Sequence, residues 1–147
     1  MTDYDKIDKC KWLLMTKFFE PKKNELAIEI SLGIVSKQKE DLFISGINLG
    51  SANSIDFDNN NDTFIIYFDS YISYFIVNES YSTAATDNFS GNSIREYKNS
   101  AFINFCKAET IGFELNQDKV IRHYEIVTIR HVINILTISQ PRIKRII

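Results

Sequence analysis

Ten consecutive residues, Leu26 to Val35, alternate with a period of two. Leu26, Ile28, Ile30, Leu32 and Ile34 fall on one face; Ala27, Glu29, Ser31, Gly33 and Val35 fall on the other. Successive side chains of a strand point to opposite faces, so this run reads as a strand with one wholly apolar face that another layer must cover. That excludes an all-helical fold. Further strands follow at Leu42–Leu49, Ser54–Phe57, Thr63–Phe68 and Ser70–Val77. Between them SKQKED (36–41), Gly50-Ser51, the DNNND run (58–62) and Asp69 read as turns, with DNNND as a hairpin loop. Strand after strand with short turns predicts an antiparallel meander.

The flanks add helices. Ile7, Cys10, Leu13, Leu14 and Phe18 recur at helical spacing over 7–19, with Asp3 or Asp5 as a cap. A strand showing Trp12, Leu14, Thr16 and Phe18 on one face competes for the same residues; the helix is preferred, and Pro21 ends either. Residues 78–93 are polar and loop-like, and a loop of that length in a compact domain is often a working surface. Ala101, Phe102, Phe105 and Cys106 predict a short helix within 98–107, capped by Asn99 or Ser100. Val120–Thr128 and Val132–Ile138 read as two strands, and Pro141 as the stop after the second. The expected fold is β-rich α+β: a twisted antiparallel sheet or sandwich with one N-terminal helix and one short helix near 98–107. A chain of 147 residues holds one ordinary core, so 1–147 reads as a single domain.

Composition removes several function classes. Aromatic residues make up 13%, too many for a disordered chain. Only 5 glycines are present, and none forms a phosphate-cradling loop. No apolar run approaches the roughly 20 residues of a membrane span. The start, MTDYDKIDKC, lacks the apolar stretch of a secretory signal, and Cys10 and Cys106 form no CxxC pattern. A cytoplasmic protein with two buried free thiols is the expectation.

The formal charge of −2 hides a segregation. From Glu40 to Ile94 there is no Lys or Arg, against eight acids: Glu40, Asp41, Asp56, Asp58, Asp62, Asp69, Glu79 and Asp87. From Lys119 onward six bases face Glu125 alone. An acidic meander is a candidate docking face for a basic partner. The competing reading is that the acids pair with the basic tail inside the fold.

Few residues carry catalytic chemistry. His123 and Glu125 share a strand face, and with His131 they would support acid–base cleavage in a small nuclease or hydrolase. A structural imidazole in an apolar strand is the commoner case. The run Asp56 to Asp62 resembles the front of a calcium loop but has Asn61 where glycine is needed and Tyr67 where a bidentate Glu is needed, so no metal is expected. Tyr71, Ser73, Phe75 and Val77 share a face, but no cations surround them to hold a phosphate backbone. The tail PRIKRII (141–147) is a thin basic patch for a nucleic-acid-binding β-domain.

Several segments together resemble a known group. They are Tyr71–Tyr81, Asn88–Asn92, Ile94-Arg95, Tyr97–Phe105, His123–Ile126 and His131–Leu136, ending near Pro141. They resemble small bacterial proteins encoded beside polymorphic or contact-dependent growth-inhibition toxins, which are read as immunity proteins. The resemblance spans 71–141 in strand and helix patterns with a few polar fixed points, and includes no catalytic signature. It implies one-to-one inhibition of a toxin domain, often a nuclease with a basic substrate channel, by a chain that is neither enzyme nor cofactor carrier. No direct contact with nucleic acid and none with membrane is expected. Charge and loop length place the expected partner contacts at Asp56, Asp58, Asp62, Asp69, Glu79 and Asp87, with Tyr81 and Phe89 as aromatic anchors.

Overall fold

A computed structural model describes residues 1–85 and 88–147. In chain order the elements are α1 (Asp3–Lys9), β1 (Leu13–Phe19), β2 (Leu26–Leu32), β3 (Ile34–Ile44), β4 (Ile47–Asp56), β5 (Thr63–Phe68), β6 (Ser73–Asn78), a 3-10 turn (Glu79–Tyr81), β7 (Phe89–Ser90), β8 (Ile94–Tyr97), α2 (Ala101–Glu109), α3 (Gly112–Leu115), β9 (Arg122–Val127), β10 (His131–Thr137) and β11 (Arg142–Arg145). The strands form a four-stranded sheet, β1-β2-β5-β11, a five-stranded sheet, β6-β10-β9-β8-β7, and a separate ribbon, β3-β4. All their pairings are antiparallel. This is the β-rich α+β fold expected.

The two larger sheets bury one core between them. The four-stranded sheet contributes Leu13, Leu26, Ile28, Ile30, Phe64, Ile66 and Phe68; the five-stranded sheet contributes Ile94, Tyr124, Ile126, Ile133 and Ile135. Ile7 of α1 enters the same core. The apolar face of 26–32 is therefore covered by the second sheet, as its alternation requires.

Several local expectations are corrected. Residues 7–19 are not one helix. Thr2 and Asp5 form a capping box that starts α1, which ends at Lys9, and 13–19 is a strand. There Leu13 pairs with Leu32 and Phe18 with Ile28, so the ladder offered by β2 overrides local helical spacing. SKQKED is no turn: it continues β3, and the ribbon turns at Ser45-Gly46. Both have positive φ, 51° and 78°, the left-handed pair a two-residue hairpin demands. Ser54–Phe57 is the end of β4 rather than a separate strand.

The DNNND loop is no hairpin either, because β4 and β5 are not neighbours. Asn61, 2% exposed, explains its composition. Its Nδ2 donates to the carbonyls of Leu32 and Asp56, both at 2.8 Å, tying the ends of β2 and β4 together. The meander breaks twice: after β2, where the ribbon leaves the sheet and β5 returns to pair with β2, and after β5, where the chain crosses to the other sheet and β6 pairs with β10. Residues 78–93 include the 3-10 turn and β7. Pro141 precedes a strand instead of ending the chain's strands: β11 follows it and pairs along β5.

Candidate functional site

The outer face of the five-stranded sheet, turned away from the core, carries three rows of side chains. Register places Ser73, Leu136, His123, Tyr97 and Phe89 in the first row. Phe75, Asn134, Glu125 and Arg95 form the second, and Val77, Val132 and Val127 the third. Helix α2 covers part of this face, packing Phe102, Ile103 and Cys106 on Leu136. The remainder is an open cup of about 710 Å³, walled by the 3-10 turn and residues 82–85.

A polar relay lines one side of the cup. Ser100 caps α2, its Oγ accepting from the Ile103 N–H at 3.1 Å. The same Oγ lies 2.8 Å from His123 Nδ1, and His123 Nε2 lies 2.7 Å from Asn134 Oδ1. With Asn134 Oδ1 as acceptor, His123 Nε2–H is the donor, and in the neutral ring Nδ1 accepts a hydrogen bond from the Ser100 hydroxyl. Tyr97 stacks on this ring at 4.8 Å, and Phe102 meets it edge-on at 5.1 Å. Both ring nitrogens are engaged inside the protein, so the imidazole is built as a structural group.

The second row holds a carboxylate cluster. Glu125 Oε1 accepts from Arg95 at 3.2 Å and from the Tyr97 hydroxyl at 3.0 Å. Arg95 also lies over the Phe89 ring at 4.5 Å. Burial, and next the Glu125 charge, push the Tyr97 phenol up to about 12. A phenol raised in the fold favours its neutral form, so its stabilisation is complete below the ordinary value of 10 and is lost as pH rises through about 12. Burial raises Tyr4 to about 12 as well, and a hydrogen bond to Glu20 raises Tyr71 to about 12. Urea midpoints are expected to hold steady from neutral pH to about 9 and to fall above about 10. Tyr97→Phe should flatten part of that fall; an unchanged alkaline profile in this variant would remove Tyr97 from the account.

The expected site residues do not form one patch. Asp56 ends β4 and Asp58 follows it, both exposed at the root of the ribbon. Asp62 and Asp69 flank β5 and are taken by the tail: Arg145 bonds Asp62, and Arg142 bonds Asp69 at 2.6 Å. That pairing holds the Asp69 carboxyl below its ordinary value. The acidic stretch and the basic tail thus partly neutralise each other, as the competing reading held. Two of the three cations of PRIKRII are engaged this way. Glu79 borders a second cavity of about 750 Å³ beside the cup, and Phe89 and Arg95 line both cavities. Tyr81 and Phe89 stand on the cup, 81% and 40% exposed. Asp87 lies outside the described residues.

The set His123, Glu125 and His131 does not converge. His123 and Glu125 pair with Leu136 and Asn134 and face the cup. His131 differs in parity from Asn134, so it points to the opposite face of the sheet, where it pairs with Asn78. The cluster the sequence reading missed is Ser100, Asn134, Tyr97 and Arg95. The cap signal at Ser100 was visible, but nothing local ties it to His123, 23 residues away.

Comparison with protein-family models, with curated proteins and with solved structures gives no match. Among the described residues no helix is long and apolar enough to cross a membrane.

Proposed function

We propose that this chain is an immunity protein that binds a toxin domain of its own cell and neutralises it by covering the toxin's active site or substrate groove. One observation supports this reading more than any other: two aromatic side chains, Tyr81 and Phe89, stand exposed on a preformed cup. Aromatic anchors that become desolvated on association dominate the energy of protein interfaces. Glu79, two residues before Tyr81, forms no salt bridge among the described residues, and neither do Asp56 and Asp58. These acids add a negative field that speeds encounter with a basic nuclease. The protein acts by binding, one copy per toxin, in the cytoplasm that the toxin would otherwise attack.

The test begins with affinity capture of the full chain from its own cells and mass spectrometry of what is bound. A one-to-one partner that is toxic alone and harmless on co-expression is the expected result. Tyr81→Ala and Phe89→Ala should each weaken that complex by about 100-fold, the scale of an interface hot spot. Recovery of RNA alone, or a complex indifferent to both substitutions, would overturn the reading or its placement on the cup.

A further inference from the structure

The ribbon β3-β4 is unlike the rest of the molecule. It stands outside both sheets of the sandwich and contributes nothing to either core cluster. A lone two-stranded hairpin is marginal in water; three or more strands with an apolar face are needed for independent stability. Seven large apolar side chains on it are nevertheless exposed: Ile34, Val35, Leu42, Phe43, Ile44, Ile47 and Leu49, at 46–64%. They sit at its two ends. Ile34 and Val35 are at the root, the other five are at the tip, and the middle is polar. Alternation places Leu42, Ile44, Ile47 and Leu49 together on one face of the tip.

The two outer edges of the ribbon differ. That of β3 carries Lys37, Lys39, Glu40 and Asp41, the charges that usually guard an exposed strand. The edge of β4 from Ile47 to Ile55 has no charge and no proline. It is the longest unguarded edge among the described residues; β6 is also uncharged but has only 6 residues and runs straight into the 3-10 turn.

We infer that β4 is a self-association edge, and that two copies of this chain pair it antiparallel about a two-fold axis near Ser51–Asn53. The occupant follows from the pattern. An uncharged edge has nothing to attract a basic or acidic partner and nothing to repel its own copy. Antiparallel pairing about that axis sets Leu49 of each β4 beside Ile55 of the other, and a two-fold contact needs this self-complementarity. The product is a four-stranded sheet, β3-β4 joined to its symmetry mate, which meets the strand number a free sheet requires. Of the seven exposed apolar side chains, Ile47 and Leu49 stand on β4 itself and come against the mate strand; the five on β3 lie one strand further out and flank the joined sheet. The cup belongs to the five-stranded sheet, so this contact is independent of the toxin reading.

The test is sedimentation equilibrium and light scattering of the full chain across concentrations up to the order of 100 µM. A dimer is expected. Ala52→Lys should shift it to monomer, by at least about 100-fold in dissociation constant. Ala52 pairs with Glu40 on β3, so the new lysine gains a partner within the ribbon, and at concentrations low enough for both chains to be monomeric the thermal midpoints should agree. Asn53→Cys should form an intermolecular disulfide under mild oxidation. A monomer at every concentration, a dimer indifferent to Ala52→Lys, or a monomer that instead binds neutral lipid vesicles through the tip would each overturn the inference.

Discussion

Asn134→Ala is expected to destabilise the fold by about 3 kcal/mol and to lower the thermal midpoint by about 10 °C. The side chain is buried at the middle of β10, and its Oδ1 is the acceptor for His123 Nε2. Its removal takes away the acceptor of a buried hydrogen bond from His123, and breaking a buried hydrogen bond from one side costs about 1–3 kcal/mol. The truncated side chain leaves a void between Phe75 and Glu125 that adds to this. Asn134→Leu restores the volume but not the acceptor, so it should recover only the void's share. His123→Phe with Asn134→Leu removes both halves of the hydrogen bond and keeps the ring between Tyr97 and Phe102. That double variant should be more stable than the sum of its single changes predicts, by about 1–2 kcal/mol. Urea unfolding read by circular dichroism gives all four corners of the cycle. Strict additivity would mean the relay adds nothing to the fold, and the imidazole would then need another explanation.

What the sequence disclosed follows from which forces are local. The strand at 26–32 was legible because one face is wholly apolar, with Leu26, Ile28 and Ile30 fully buried, while the other mixes Ala27, Glu29 and Ser31, and that asymmetry is written in the residues as alternation. Helix α2 was legible because its cap, Ser100, and its buried side chains, Phe102 and Cys106, lie within one short segment. The ribbon was not. It is exposed on both faces through most of its length, so burial imposes no alternation, and Ser36 to Asp41 has the composition of a turn. The N-terminal strand was hidden for a different reason: only the register with β2 decides between two patterns that residues 12–19 carry together. The histidines show the same limit at the site. His123 and His131 are eight apart, but the intervening turn, with Thr128 bonded to His131 on both sides, resets the parity. No count along the chain reveals that they face opposite sides of the sheet. Acid–base complementarity was visible as a total and not as pairs, since Arg142 with Asp69 and Arg145 with Asp62 are brought together only by β11 lying along β5.

Asp8→Ala is expected to destabilise the protein by about 3 kcal/mol and to weaken partner binding at the cup as well. Asp8 joins α1 to the turn between β7 and β8. Its Oδ1 accepts from the backbone N–H groups of Asn92 and Ile94, each at 2.8 Å, and its Oδ2 accepts from Asn92 Nδ2 at 2.9 Å. Hydrogen bonds to a charged group contribute about 1.5–3 kcal/mol each when shielded, and solvent access at this turn reduces that. The turn itself is set by Gly91, whose φ of +93° is a conformation that side chains disfavour. A Cβ at Gly91 would stand 2.1 Å from the Ile94 carbonyl oxygen, so the turn must open to admit it. Gly91→Ala therefore breaks the same clamp from its other side, and should cost a similar amount. Because both changes release one unit, Asp8→Ala with Gly91→Ala should cost clearly less than their sum. The functional consequence comes from position. Phe89 and Arg95 flank this turn, and both line the cup and the adjoining cavity. Releasing the turn frees the aromatic anchor without touching the partner's contact atoms, so the loss should fall on the lifetime of the complex. Full binding with the turn released would mean that Phe89 is not an anchor, and the contact would then rest on Tyr81 and the 3-10 turn that carries it.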